Sequence, residues 1–146
     1  MSFLERILIS ACLLGASCRY DGKSKLNEKV LEFMEKYELI PVCPEIFGGL
    51  PTPRTPAERV GSRVLTRDGK DVTEQYEHGA FEALRFARLF GCKKAVLKEK
   101  SPSCGSGEIY DGSFSGTLTS GFGVAAALLS ENGIEVFGES EIEKLL

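Results

Sequence analysis

Apolar residues along the chain form short runs separated by segments of helical spacing. Ile7 to Cys12 reads as a buried strand, Glu38 to Cys43 as a second, Lys94 to Leu97 as a third and Ile134 to Phe137 as a fourth. Pro41 sits inside the second run, which makes that strand short or places it on an edge. Between the first two, Leu26, Val30, Phe33 and Tyr37 recur at helical spacing behind Asn27, a candidate N-cap. A long helix is predicted from Asp71 or Thr73 to Phe90, ended by Gly91, with Ala80, Phe81, Leu84, Ala87 and Leu89 as a broad buried stripe. Phe122 to Ser130 reads as a small-residue helix, Glu58 to Thr66 as a strand or hairpin arm, and Glu139 to Leu146 as a closing helical turn.

Strands alternating with helices predict an α/β domain over 1–146. The expected architecture is a three-layer, Rossmann-like domain with a mainly parallel sheet of about four strands. Two segments resist the alternation. Four of the six prolines lie between Pro44 and Pro56, in a long loop that also holds Gly48 and Gly49. Glu108 to Thr119 is rich in Gly and Ser and is expected to pack over the site. Long structured loops in compact domains are usually functional.

The net charge of -3 argues against an extended nucleic-acid surface. No apolar run approaches the roughly 18 residues of a membrane helix. Ile9-Ser10-Ala11-Cys12 has the look of a lipoprotein cleavage box, but the apolar run before it is too short and Glu5 cancels Arg6. Five cysteines at irregular spacing do not form a secreted disulfide framework. A reduced, cytoplasmic setting is therefore expected, and there clustered thiols bind metal or do chemistry.

Cys12, Cys43 and Cys104 each stand at or just past the C-terminal end of an apolar run. In an open α/β sheet those ends face one crevice, where ligands bind. Thiolates select zinc or iron–sulfur clusters. Zinc normally takes four N/S ligands, often in close cysteine pairs; no such pair exists, and the single histidine, His78, lies in the long helix. Three thiolates on a 4Fe–4S cluster would leave one iron open to a soft substrate atom. Cys18 is a fourth candidate, and Cys92 reads as core. Glu45, two residues after Cys43, is placed for general acid–base work, and Ser101, three before Cys104, for relaying a proton. Lys98, Lys100, Arg19 and Arg54 bring positive charge. Each also has a plainer reading: cysteines as buried small hydrophobes, Glu45 as a backbone cap, Ser101 as a turn residue before Pro102, Arg54 as a salt-bridged loop residue and Gly49 as loop architecture.

Several strings together resemble the thiouracil desulfidases (TudS-like proteins), a bacterial family once of unknown function. They are Ser10-Ala11-Cys12-Leu13-Leu14-Gly15, Arg19-Tyr20-Asp21-Gly22, Pro41-Val42-Cys43-Pro44-Glu45, Gly48-Gly49-Leu50, Pro53-Arg54-Thr55-Pro56 and Lys100-Ser101-Pro102-Ser103-Cys104-Gly105. The resemblance covers nearly the whole chain and implies a single-domain form. It implies a 4Fe–4S cluster held by Cys12, Cys43 and Cys104, with its fourth iron open to the sulfur of a thiolated uracil or thiouridine compound. It further implies that Glu45 activates water, assisted by Ser101, making the protein a C–S bond hydrolase. Gly49 and Arg54 are the expected substrate contacts, and the partner is a small thiolated pyrimidine or its nucleotide. The other reading is a non-catalytic nucleotide- or sulfide-binding module that carries sulfur for a partner.

Overall fold

The structure is a computed structural model describing residues 4–146, so the first three positions of the domain expected over 1–146 lie outside the described residues. The chain begins with β1 (Arg6–Ser10), a 3-10 turn (Ala11–Leu14), α1 (Lys29–Lys36), β2 (Glu38–Val42) and the one-turn α2 (Pro44–Phe47). Next come β3 (Ala57–Val60), β4 (Arg63–Thr66), the long α3 (Thr73–Leu89) and β5 (Lys94–Leu97). It closes with β6 (Ser106–Tyr110), β7 (Leu118–Phe122), α4 (Val124–Glu131), β8 (Glu135–Gly138) and a 3-10 segment (Glu139–Leu145).

The central sheet has the order β2-β1-β5-β8, and every pair is parallel. Ile7, Leu8 and Ile9 in β1 are fully buried. That is what a central parallel strand requires, because helices cover both of its faces. Alternation along the strands separates two cores. Leu8, Ala95 and Leu97 pack with Ala83, Leu84 and Ala87 of α3 and Ala126 and Leu129 of α4. Ile7, Ile9 and Val96 point the other way, onto Val30 and Phe33 of α1 and Ile142 and Leu145 of the C-terminal segment. This is the expected three-layer α/β fold with a four-stranded parallel sheet. Pro41 lies on the edge strand, opposite Ile9, where its missing N–H costs no ladder bond. No helix among the described residues is long and apolar enough to cross a membrane.

Three expectations need correction. Phe81 and Leu89 are exposed; the buried face of α3 is Tyr76, Gly79, Ala80, Ala83, Leu84 and Ala87. One residue advances about 100° around a helix, so Phe81, next to Ala80, turns off that face. Leu26 precedes α1 and is exposed, and the N-cap position falls on Glu28, with Asn27 one residue earlier and its side-chain oxygen accepting the Lys29 N–H at 3.0 Å. The Gly/Ser-rich region, where no strand was expected, holds β6 and β7 paired as an antiparallel hairpin. Its strands lack a regular apolar alternation, which hid them.

Candidate active site

Three neighbouring strands deliver the three thiols. β1 runs into the 3-10 turn that carries Cys12. β2 ends at Cys43, the residue that precedes α2, and Pro44 starts the helix with a preset φ. β5 leads into the loop that carries Cys104. Since β2, β1 and β5 are adjacent and parallel, their C-terminal ends share one rim. A cavity of about 200 Å³ opens there, lined by Cys12, Cys18, Cys43 and Cys104 together with Glu45 and Ser101. Ser10, Arg19, Tyr20, Lys98, Lys100 and Tyr110 also line it.

The loop after β5 is tied at several points. Lys98 N–H donates to the buried Ser10 Oγ at 2.9 Å. Cys104 N–H donates to Ser101 Oγ at 2.7 Å, and Gly105 N–H to the Ser101 carbonyl at 2.9 Å. The first N–H groups of α4 have no partner within their own helix. Val124 donates instead to the Pro102 carbonyl, and Ala125 and Ala126 to that of Ser103, at 2.8–3.1 Å. A Cβ on Gly123 would lie 2.4 Å from the Ser103 carbonyl carbon, so only glycine admits this approach.

Glu45 is held by three donors. Tyr76 hydroxyl donates to Oε1 at 2.5 Å, Arg54 Nε to Oε1 at 3.4 Å and Ser103 Oγ to Oε2 at 3.1 Å. The side chains of Arg54 and Glu45 are 6% and 17% exposed, so water competes little for this pair. Tyr76 reaches Glu45 because α2 and α3 meet backbone to backbone. A Cβ on Gly79 would lie 1.7 Å from the Pro44 carbonyl oxygen, and one on Gly48 would lie 1.9 Å from that of Gln75.

The surroundings favour the protonated thiol at Cys18, Cys43 and Cys104. Burial pushes the Cys104 thiol up to about 12, against the opposing hydrogen bonds of Ser10 and Ser103. Cys43 is raised above the usual thiol range by its hydrogen bond to Cys18, then by burial. Cys18 is raised chiefly through Cys12. Tyr76 is raised by burial, then by the Glu45 charge, so its hydroxyl stays a donor at neutral pH. Metal binding at such thiols must displace protons.

The donor set suits a cluster. All four cavity thiols are free. Among the described residues no three Cys, His, Asp or Glu side chains converge on a single-ion site. Soft thiolate ligands of this kind are the ones that iron–sulfur clusters take.

Of the residues singled out in the sequence, Cys12, Cys43, Cys104, Glu45 and Ser101 come together on the cavity wall. The two expected substrate contacts stand elsewhere. Arg54 lies behind Glu45 and also donates to the Pro51 carbonyl and Thr52 Oγ1 at 3.1 Å and to the Cys18 carbonyl at 2.8 Å. Gly49, at φ 93°, turns the chain after α2 and does not line the cavity. Two residues went unnoticed in the sequence. Ser103 is 1% exposed and touches both Glu45 and, at 3.5 Å, Cys104 Sγ; its place beside Cys104 was the available signal. Tyr76 had no local signal, since the stripe expected for the long helix began at Ala80; the structure adds it to the buried face.

A sequence profile of the 2-thiouracil desulfurases matches residues 7–141. The chain belongs to the 2-thiouracil desulfurase family. The matched span holds every cavity residue named above. A solved structure of a 4Fe-4S-dependent thiouracil desulfidase, TudS, is 47% identical, with 97% of this chain and 95% of that chain covered and a TM-score of 0.90. The uncharacterized protein YbbK of Bacillus subtilis (strain 168) is 42% identical over 150 residues, covering 96% of this chain and 99% of that protein.

Proposed function

We propose that this chain is an iron–sulfur desulfidase that hydrolyses the C–S bond of thiolated uracil or thiouridine compounds, acting in the cytoplasm on small molecules. The observation that carries the reading is the meeting of three thiols, at the ends of three adjacent parallel strands, with a hydrogen-bonded glutamate on one cavity. Membership of the desulfurase family and the likeness to TudS support it. Cys12, Cys43 and Cys104 would hold a 4Fe–4S cluster. When bound with only three thiolates, such a cluster supplies a Lewis-acidic iron for a soft thiocarbonyl sulfur.

The chain's own residues do the rest. Tyr20 and Tyr110 present aromatic surface to a flat pyrimidine. Water adds at the thiocarbonyl carbon, and Glu45 takes its proton. The C–S bond then breaks: the proton held by Glu45 passes to the sulfur, which leaves as HS⁻, and the proton of the added hydroxyl is released as the C=O bond forms. Thione and water become oxo compound and hydrogen sulfide, with no net electron transfer. Ser101 Oγ lies 3.4 Å from Ser103 Oγ, which donates to Glu45 Oε2. That line of hydroxyls offers a path for the returning proton. Arg54 and Gly49 enter as supports of Glu45 and its loop.

The test is anaerobic reconstitution with iron and sulfide, followed by 2- or 4-thiouracil. A brown protein with about four irons per chain is expected, together with loss of the thione ultraviolet band and release of sulfide. Glu45→Gln should keep the iron and lose about 10²–10⁴-fold in kcat. A chain that takes up no iron overturns the reading, and binding without turnover points to the sulfur-carrier module.

A further inference from the structure

The three donors divide unequally between the two oxygens of Glu45. Oε1 accepts from Tyr76 and from Arg54, while Oε2 accepts from Ser103 alone. Each carboxylate oxygen offers two lone-pair directions, so Oε1 is filled and Oε2 keeps one free. The free direction belongs to the oxygen beside Ser103, whose hydroxyl also approaches Cys104 Sγ. We propose that Tyr76 is a positioning residue for the desulfidase reaction: with Arg54 it locks Oε1 and presents Oε2 as the oxygen that exchanges a proton with water. The inference rests on the desulfidase reading above, in which Glu45 is the base.

Three features of Tyr76 fit it for this role. It is 2% exposed, and among the described residues its hydroxyl has Glu45 as its partner. A buried phenol needs such a partner, and a carboxylate makes a short, strong one. The residue also stands on the rigid α3, which the Gly48 and Gly79 contacts fasten to α2, the helix that carries Glu45. The donor and the carboxylate therefore cannot drift apart independently. Without the Tyr76 hydroxyl, Oε1 keeps only the longer Arg54 contact, and that contact and Ser103 alone restrain the carboxylate about its terminal torsion, which is broad and two-fold.

The test is Tyr76→Phe in the full-length, iron-loaded chain. The variant should keep its iron content and visible absorption and a KM for 2-thiouracil within about twofold, while kcat falls about 10–100-fold, as misplacement of a reacting group does. In a Glu45→Gln background the same substitution should have no further effect on kcat, because the two act as one unit. A second readout is free of turnover: the tyrosine Fermi doublet in ultraviolet resonance Raman should lose its strong-donor component in both Tyr76→Phe and Glu45→Gln. An active parent with an equally active Tyr76→Phe variant overturns the proposal alone. So does a variant that loses iron, or whose KM rises with the fall in kcat, since either assigns Tyr76 a structural role. A parent chain that releases no sulfide overturns the desulfidase reading, and this proposal with it.

Discussion

Replacing Gly79 by alanine tests whether the backbone contact between α2 and α3 holds in place the Glu45 carboxylate, the base of the proposed reaction. The new Cβ would sit 1.7 Å from the Pro44 carbonyl oxygen, 2.6 Å from its carbonyl carbon and 3.2 Å from Gly48 N. Non-bonded heavy atoms settle at ~3.5–4.0 Å, so α2 must withdraw by roughly 2 Å. The Tyr76–Glu45 bond is 2.5 Å long. A retreat of that size carries it beyond the ~3 Å limit of a useful O–H···O bond. Overpacking costs about 1–3 kcal/mol. Alanine regains about 0.8–1.0 kcal/mol over glycine in a helix interior. The balance is a loss of up to about 2 kcal/mol, or a melting temperature lower by up to about 8 °C at this chain length. Because Glu45 moves with α2, kcat should fall about 10²-fold, the usual consequence of a 1 Å misplacement. Differential scanning calorimetry and a sulfide-release assay on the iron-loaded variant measure both. A Gly79→Ala chain that melts higher, as propensity alone predicts, and turns over fully would refute the reasoning.

The remaining predictions concern the thiols, the serines and acid stability. Cys12→Ser, Cys43→Ser and Cys104→Ser should each lose cluster iron, while Cys92→Ser, on the α3–β5 connection away from the cavity, should retain it; iron analysis separates the two groups. Ser103→Ala should lower kcat more than Ser101→Ala, because Ser103 touches Glu45 directly; equal losses would argue that both merely shape the loop. The Thr73 hydroxyl and N–H hold the Asp71 carboxyl below its ordinary 3.8, and the Gly138 N–H, then Lys144, hold Glu141 below 4.5. Carboxyls with depressed pKa contribute stability above their unfolded values and lose it as pH falls through the folded ones. Urea midpoints should therefore decline as the pH drops below that range, and the Asp71→Asn curve should converge on the parent's; parallel curves would exclude the role.

Part of the site was legible because its ingredients are local. Cys12, Cys43 and Cys104 follow apolar runs, and the end of a strand is a fixed place in an open parallel sheet. Glu45 is bound to that place because only Pro44 separates it from Cys43. Arg54 and Gly49 were harder. They share the Pro/Gly-rich loop with Glu45, but nothing in a loop's composition says which way a guanidinium turns, and Arg54 turned inward to Glu45 and three backbone or side-chain acceptors.

The sequence by itself determined the alternation of strands and helices, that β2 is short or on an edge, and the three-point arrangement of thiols. Each follows from side-chain period, proline chemistry or chain connectivity, which act over a few residues. Only the tertiary structure decided that Tyr76, 31 residues from Glu45, is its donor. It alone revealed that Gly48 and Gly79 let two helices touch, and that Phe81 faces out while Ala80 faces in. These depend on how close two elements pack and at what rotation. A glycine that is needed because a carbonyl lies 1.7 Å from its missing Cβ looks, in sequence, like any other glycine in a helix.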